Sequence, residues 1–142
     1  MKHSLLSDDD YYPLIEARHC DPFRILGIRM VDDRWVARVL RPDVQKVSVI
    51  LDANPSKKHP LSLADGNGLF ECILPEFKAG GGYQLELTGH DGSSWRERDP
   101  YAFPPVLGEI DIYLFNEGTH YDIYKKLGAH VKVIDDVPGV HF

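Results

Sequence analysis

A chain of 142 residues and 16.1 kDa, 43% hydrophobic and 27% charged, is one domain's worth of polypeptide with enough apolar content for a packed core. No apolar run reaches the roughly 18 residues that span a bilayer, and the opening Met1-Lys2-His3-Ser4-Leu5-Leu6 lacks a stretch of signal-peptide length, so no membrane partner is expected. The net charge of −6 and the lack of a basic stripe argue against a nucleic-acid partner, while Cys20 and Cys72, outside any CxxC pair, fit a reducing, cytoplasmic setting.

The first predicted element is a helix over residues 8–19. Asp8, Asp9 and Asp10 suit the positive helix N-terminus, and Pro13 is tolerated in the first turn. From residue 26 to 99 the period shortens to two. Trp35, Ala37 and Val39 alternate with Val36, Arg38 and Leu40; Val47, Val49 and Leu51 alternate with Ser48 and Ile50. Phe70, Cys72 and Leu74 share another face, and Tyr83, Leu85 and Leu87 alternate with Gln84, Glu86 and Thr88. Turn signals separate these runs, among them Asp32-Asp33, Arg41-Pro42-Asp43, Asp65-Gly66-Asn67-Gly68 and Ala79-Gly80-Gly81-Gly82. Six or seven short strands at this spacing predict an all-β, immunoglobulin-like antiparallel sandwich.

The strand signal ends near Asp99-Pro100, and Phe103-Pro104-Pro105 reads as a domain exit. Helices are then predicted over residues 109–117, closed by Gly118, and 119–127, closed by Gly128. Ile110 and Leu114 supply the apolar side of the first, and Thr119 and Asp122 stand at capping-box spacing in the second. From Val131 a strand pattern begins and stops after four residues, as expected of a chain that continues into another domain.

No nucleophile elbow, zinc spacing or P-loop is present, and the seven histidines show no ligand spacing. Both glycine clusters lie between predicted strands and read as hairpin turns rather than phosphate cradles. An acid/base pair among Asp99, Glu109, Asp111 and Glu117 would need two carboxyls fixed about 5–10 Å apart across a cleft; acidic groups at a domain exit read instead as solvated. The aromatic residues are the better candidates. Trp35 and Trp95 lie in predicted strands and Tyr83 begins another, so each could offer a flat ring to the apolar face of a sugar or else belong to the core.

The segments Asp99-Pro100-Tyr101-Ala102-Phe103-Pro104-Pro105-Val106-Leu107-Gly108-Glu109 and Leu114-Phe115-Asn116-Glu117-Gly118-Thr119-His120 closely resemble bacterial glycogen branching enzymes. Tyr124-Lys125-Lys126-Leu127-Gly128-Ala129-His130 and Val137-Pro138-Gly139-Val140-His141-Phe142 continue the likeness. Upstream, His19-Cys20-Asp21-Pro22-Phe23-Arg24-Ile25-Leu26-Gly27 resembles the family's HxDPFxxLG opening. Two residues depart from the pattern: Arg29 stands where a His is common, and Asp136 where Gly is common.

The resemblance implies a sandwich module over residues 1–106 and a helical linker over 107–142. The linker would lead to a second, carbohydrate-binding-type module and then to an amylase-like (β/α)₈ barrel. In that family the catalytic carboxylates belong to the barrel, so no residue here inherits them, and the reaction uses no metal or organic cofactor. The implied partners are α-1,4-glucan or glycogen and the later modules. The module itself is expected to hold glucan through Trp95, Trp35 or Tyr83, or to limit acceptor access. The alternative is a structural spacer that binds no glucan.

Overall fold

The alternation from Tyr83 onward becomes β7 (Tyr83–Gly89), in which Tyr83, Leu85, Leu87 and Gly89 are buried and the residues between them are half-buried. A computed structural model of the chain describes residues 5–103, 106–134 and 136–142. Two compact units are present, Met1–Phe103 and Pro104–Phe142.

In the first unit β7 pairs with β3 (Val44–Leu51) on one side and β8 (Ser94–Glu97) on the other, while β4 (Lys58–Pro60) flanks β3. The second sheet runs β1-β2-β6-β5, from β1 (Gly27–Val31), β2 (Arg34–Leu40), β6 (Leu69–Ile73) and β5 (Ser62–Leu63). Every pairing is antiparallel. The two sheets enclose a core in which Val47, Val49, Leu85 and Leu87 meet Ala37, Val39 and Phe70. This is the β-sandwich that the alternation predicts. Asp32 and Asp33, at φ 46° and 59°, form the two-residue turn between β1 and β2 that suits the twist of a hairpin.

A second core lies outside the first. Helix α1 (Asp8–Ile15) places Tyr11 and Leu14 with Ile25, Leu26, Ala64 and Leu69. The helix is shorter than predicted because Ala17 turns left-handed, at φ 54°. Ala17 N–H then donates to Leu14 O and Arg18 N–H to Pro13 O, a Schellman ending with alanine where glycine is usual. Covering Leu40 and Leu69 buries the outer face of β2 as well as its inner one. Val36, Ala37, Arg38 and Val39 are consecutively buried, which simple alternation does not predict. The charge of Arg38 is met by Glu71, its directly opposite cross-strand partner, at 2.6 Å, and the backbone N–H of Leu5 donates to the second Glu71 oxygen at 3.0 Å.

In the second unit, α2 (Glu109–Asn116) starts where predicted and ends one residue sooner, with Glu117 as its C-cap. Ile110, however, is exposed and Leu114 half-buried, whereas Asp111 is the buried side chain. The helix predicted over residues 119–127 is replaced by one tight turn, Ile123–Lys125. A nine-residue stretch is too short to hold a helix by propensity alone. Its polar residues bond elsewhere: His120 Nε2 lies 2.8 Å from Asp111 Oδ1, and Lys126 bonds Asp111 Oδ2. The capping arrangement expected at Thr119 and Asp122 occurs instead at Asp111, whose carboxylate accepts the Gly108 N–H at 2.8 Å. Beyond Gly128, the strand pattern folds back on itself as a hairpin of β9 (His130–Ile134) and β10 (Val137–His141). Asp136 takes the left-handed conformation, φ 62°, just before β10.

Asp111 makes acid sensitivity an expected result for this unit. Its three donors, led by Lys126 and then His120, hold the carboxyl well below the usual carboxylate range. A depressed folded-state pKa contributes stability that is present above the unfolded value, about 4, and is lost as pH falls through the folded value. Hydrogen-exchange protection at residues 108–126, taken relative to the intrinsic exchange rate at each pH, should therefore fall severalfold as pH drops below about 4. Asp111→Asn should show that low protection already at neutral pH and lose the pH step. An unchanged step in the variant would assign it to another group.

Candidate functional site

The two ends of the sandwich unit are tied together by the residues of its motifs. His19 Nδ1 accepts the Asp21 N–H at 3.0 Å, and the Asp21 carboxylate accepts the Arg24 N–H at 3.3 Å, capping a short turn that begins at Pro22. Phe23 packs edge-on against Tyr101 with ring centres 4.9 Å apart. Gly27, at φ 85°, passes so close to Tyr101 that an added Cβ would sit 2.9 Å from its carbonyl oxygen. Arg29 donates to Phe23 O at 2.6 Å and to Tyr101 O at 3.1 Å. Asp99 accepts the Tyr101 N–H at 2.9 Å and the Tyr83 hydroxyl at 2.7 Å. These motif residues thus form a clasp, with Arg29 serving as a donor at its centre.

Of the predicted site residues, Tyr83 lies in the clasp and Trp35 connects to it through Phe77. Tyr83 is only 4% exposed, and burial, reinforced by the bond to Asp99, raises its hydroxyl pKa far above that of an ordinary phenol. Trp35 is half-buried on the inner face of β2, edge-on to Phe77 at 5.0 Å, and Phe77 in turn is edge-on to Tyr83 at 6.4 Å. Two of the three aromatic residues therefore share one core stack.

Trp95 stands apart. It lies on β8, the edge strand, directly opposite Leu87, and so points to the inner side of its sheet. At the edge the ring is left 37% exposed. Its indole N–H donates to Glu97 Oε2 at 3.0 Å, two residues on along the same strand face. The other Glu97 oxygen is bonded by Arg41, which also donates to both oxygens of Asp43 at 2.8 Å. Arg41 and Asp43 belong to the turn between β2 and β3, so this chain of bonds joins the two sheets at their open side. Hydrogen bonds from Arg41 bring the Asp43 carboxyl down to about 2. Beside Glu97 a cleft of about 110 Å³ opens between the sheets, walled by Arg41, Leu85, Asp99 and Tyr101.

Sequence reasoning read Arg41-Pro42-Asp43 only as a turn and passed over Glu97. The signal available was the i, i+2 spacing of Trp95 and Glu97, which places both on one face of a strand. Three of the four carboxylates weighed for acid/base work are otherwise engaged: Asp99 and Asp111 as described, and Glu117 by the Tyr113 hydroxyl at 2.6 Å. Among the described residues no group of three or more His, Cys, Asp or Glu could hold a metal ion, and no helix is long and apolar enough to cross a membrane.

Residues 7–101 match the family model described as alpha-1,4-glucan branching enzyme GlgB, N-terminal domain. The 1,4-alpha-glucan branching enzyme GlgB of Paramagnetospirillum magneticum is 38% identical over 141 residues, covering 97% of this chain and 18% of that protein. The enzyme of the same name from Rhodopseudomonas palustris (strain ATCC BAA-98 / CGA009) is 42% identical over 135 residues, covering 94% and 18%. The chain thus spans about a fifth of the length of these relatives. Among solved structures, apo pullulanase from Paenibacillus barengoltzii aligns with 71% of this chain and 20% of its own at 15% identity, with a TM-score of 0.47, a likeness too slight to add to the fold assignment.

Proposed function

This chain belongs to the family of N-terminal domains of the alpha-1,4-glucan branching enzyme GlgB, and we propose that it positions glucan for catalysis performed elsewhere in a longer protein. The reaction implied for such a parent cleaves an α-1,4 chain and transfers it to a 6-hydroxyl through a covalent glycosyl-enzyme. That chemistry needs two carboxyl groups poised across a cleft. Here Asp99 and Asp111 accept hydrogen bonds that hold the fold, which supports a non-catalytic role. Residues 1–106 act as the sandwich module and 107–142 as the linker toward a carbohydrate-binding-type module, in a cytoplasmic enzyme without a metal or organic cofactor.

The observation that carries glucan positioning is the exposed indole of Trp95, held by Glu97 at the edge of the sandwich. A ring so fixed can cover the apolar face of a glucose unit without first losing its own rotamer freedom. One such platform gives weak binding, with a dissociation constant on the order of 0.1–1 mM. Maltoheptaose added to the chain should shift the Trp95 indole resonance in NMR spectra. Trp95→Ala should weaken binding by about tenfold or more while far-UV dichroism stays unchanged. The same preparation should leave amylose unbranched and unhydrolysed.

The runner-up is a spacer that packs against other modules and binds no glucan. It draws on the Trp35, Phe77 and Tyr83 stack, which puts two of three candidate rings in the core. A wild-type spectrum unmoved by several millimolar maltoheptaose would decide for the spacer, and turnover of amylose by the purified chain would refute both readings.

A further inference from the structure

The bonds around Trp95 do more than hold the ring. We propose that Asp43, Arg41 and Glu97 form a polar rail that reads the vicinal hydroxyls of a neutral sugar stacked on Trp95, with Glu97 the residue that positions the indole. The inference rests on the glucan-positioning reading and names the residues that give it selectivity.

Three observations carry it. First, the guanidinium of Arg41 is one carboxylate away from the indole: Trp95 Nε1 bonds Glu97, and Glu97 bonds Arg41. Hydroxyls at the rim of a ring on Trp95 therefore fall beside charged groups. Second, the rail is ordered before any ligand arrives. Arg41 is gripped on both sides, through Nε and Nη2 by Asp43 and through Nη1 by Glu97, and its side chain is about three-quarters buried. A fixed fork of donors beside carboxylate acceptors matches two adjacent hydroxyls, each of which donates one hydrogen bond and accepts another. Third, the Asp43 side chain is 57% exposed, so its oxygens keep lone pairs open to solvent and to a ligand.

The charges select the class of ligand. One arginine stands among two carboxylates, so an anionic sugar meets net negative charge, and a simple cation finds both carboxylates already paired with Arg41. A neutral polyhydroxylated ring avoids both conflicts. The cleft beside Glu97 adds an apolar wall, Val39, Leu40 and Leu85, in which Asp99 also stands.

The test is an NMR titration of the whole 142-residue chain with maltoheptaose, comparing wild type with Trp95→Ala, Asp43→Asn, Glu97→Gln and Glu97→Leu. Asp43→Asn should weaken binding about fivefold to tenfold, as expected for loss of a charged acceptor. Glu97→Gln keeps one acceptor oxygen where the indole N–H and Arg41 each need one, and should weaken binding about fivefold, whereas Glu97→Leu should move the free indole resonance and weaken binding by about tenfold or more. Raising salt from about 20 to 500 mM should change the wild-type constant less than about twofold, since no ligand charge is screened. Binding that requires Trp95 but is indifferent to Asp43 and Glu97 overturns the rail and leaves the platform standing. Tighter binding of maltose sulfate than of maltose overturns the neutral-ligand claim. A wild-type chain with no response to maltoheptaose refutes glucan positioning itself, and the rail with it.

Discussion

Replacing Arg38 with methionine should destabilise the sandwich unit by about 3–5 kcal/mol, the range for breaking a buried ion pair by removing one partner. Arg38 and Glu71 face each other across β2 and β6, with side chains 3% and 7% exposed and 2.6 Å between Nε and Oε1. Residues of α1 pack on Leu40 and Leu69, the outward-facing neighbours of the pair along β2 and β6. Removing the guanidinium leaves the Glu71 carboxylate in an apolar layer, with the Leu5 N–H, at 3.0 Å, its remaining donor among the described residues. The cost comes mainly from that stranded charge rather than from the attraction lost. Arg38→Met combined with Glu71→Leu should therefore recover most of the stability, because neither charge then needs desolvation. Urea unfolding separates the cases: the single variant should lower the midpoint at unchanged slope, and the double variant should return it toward wild type. A double variant as unstable as the single one would mean that packing, not charge, sets the cost.

Gly68→Ala should cost about 3–4 kcal/mol through the backbone alone. Gly68 has φ 84°, and a Cβ there would sit 2.4 Å from Pro42 Cα and 2.5 Å from Pro42 N. The left-handed conformation disfavours any side chain by about 1–2 kcal/mol, and the remainder comes from forcing two backbone turns apart. Neither partner is a flexible side chain that could swing aside. The Gly68 carbonyl also accepts the Arg41 N–H at 2.8 Å, so the displacement reaches the rail beside Trp95. Gly66→Ala is the control. It has open space around its Cα and no positive φ, and it should change stability by less than about 0.5 kcal/mol. Equal losses at both positions in thermal unfolding would remove the steric explanation.

Much of the fold is legible in the chain because sheets and turns carry local signatures. The alternation at Tyr83, Leu85 and Leu87 is a strand buried on one face, and Asp32-Asp33 is a tight hairpin turn. Helix α2 ends ahead of a left-handed Gly118, as its sequence indicates. The candidate site was legible only in part. The residue types expected for sugar stacking are present, but periodicity gives the face of a strand, not whether another sheet covers that face. Trp35 and Trp95 both lie on inner faces. The former meets Phe77 while the latter, on an edge strand, stays open.

The sequence by itself determines the longer strands, most of their turns, the acidic balance and the family, since these are written in neighbouring residues, whereas the short β4 and β5 carry no such pattern. Tertiary structure alone decided the rest. Arg38 meets Glu71 across 33 residues, Arg41 meets Glu97 across 56, and Leu5 meets Glu71 across 66. Residues 119–127 gave up a helix for contacts with Asp111, and the outer face of β2 was buried by a helix that begins 26 residues before it. Local propensity amounts to a few tenths of a kcal/mol per residue, whereas satisfying a buried charge is worth several. Where the two compete, the distant partner prevails, and no window of neighbouring residues records which partner that is.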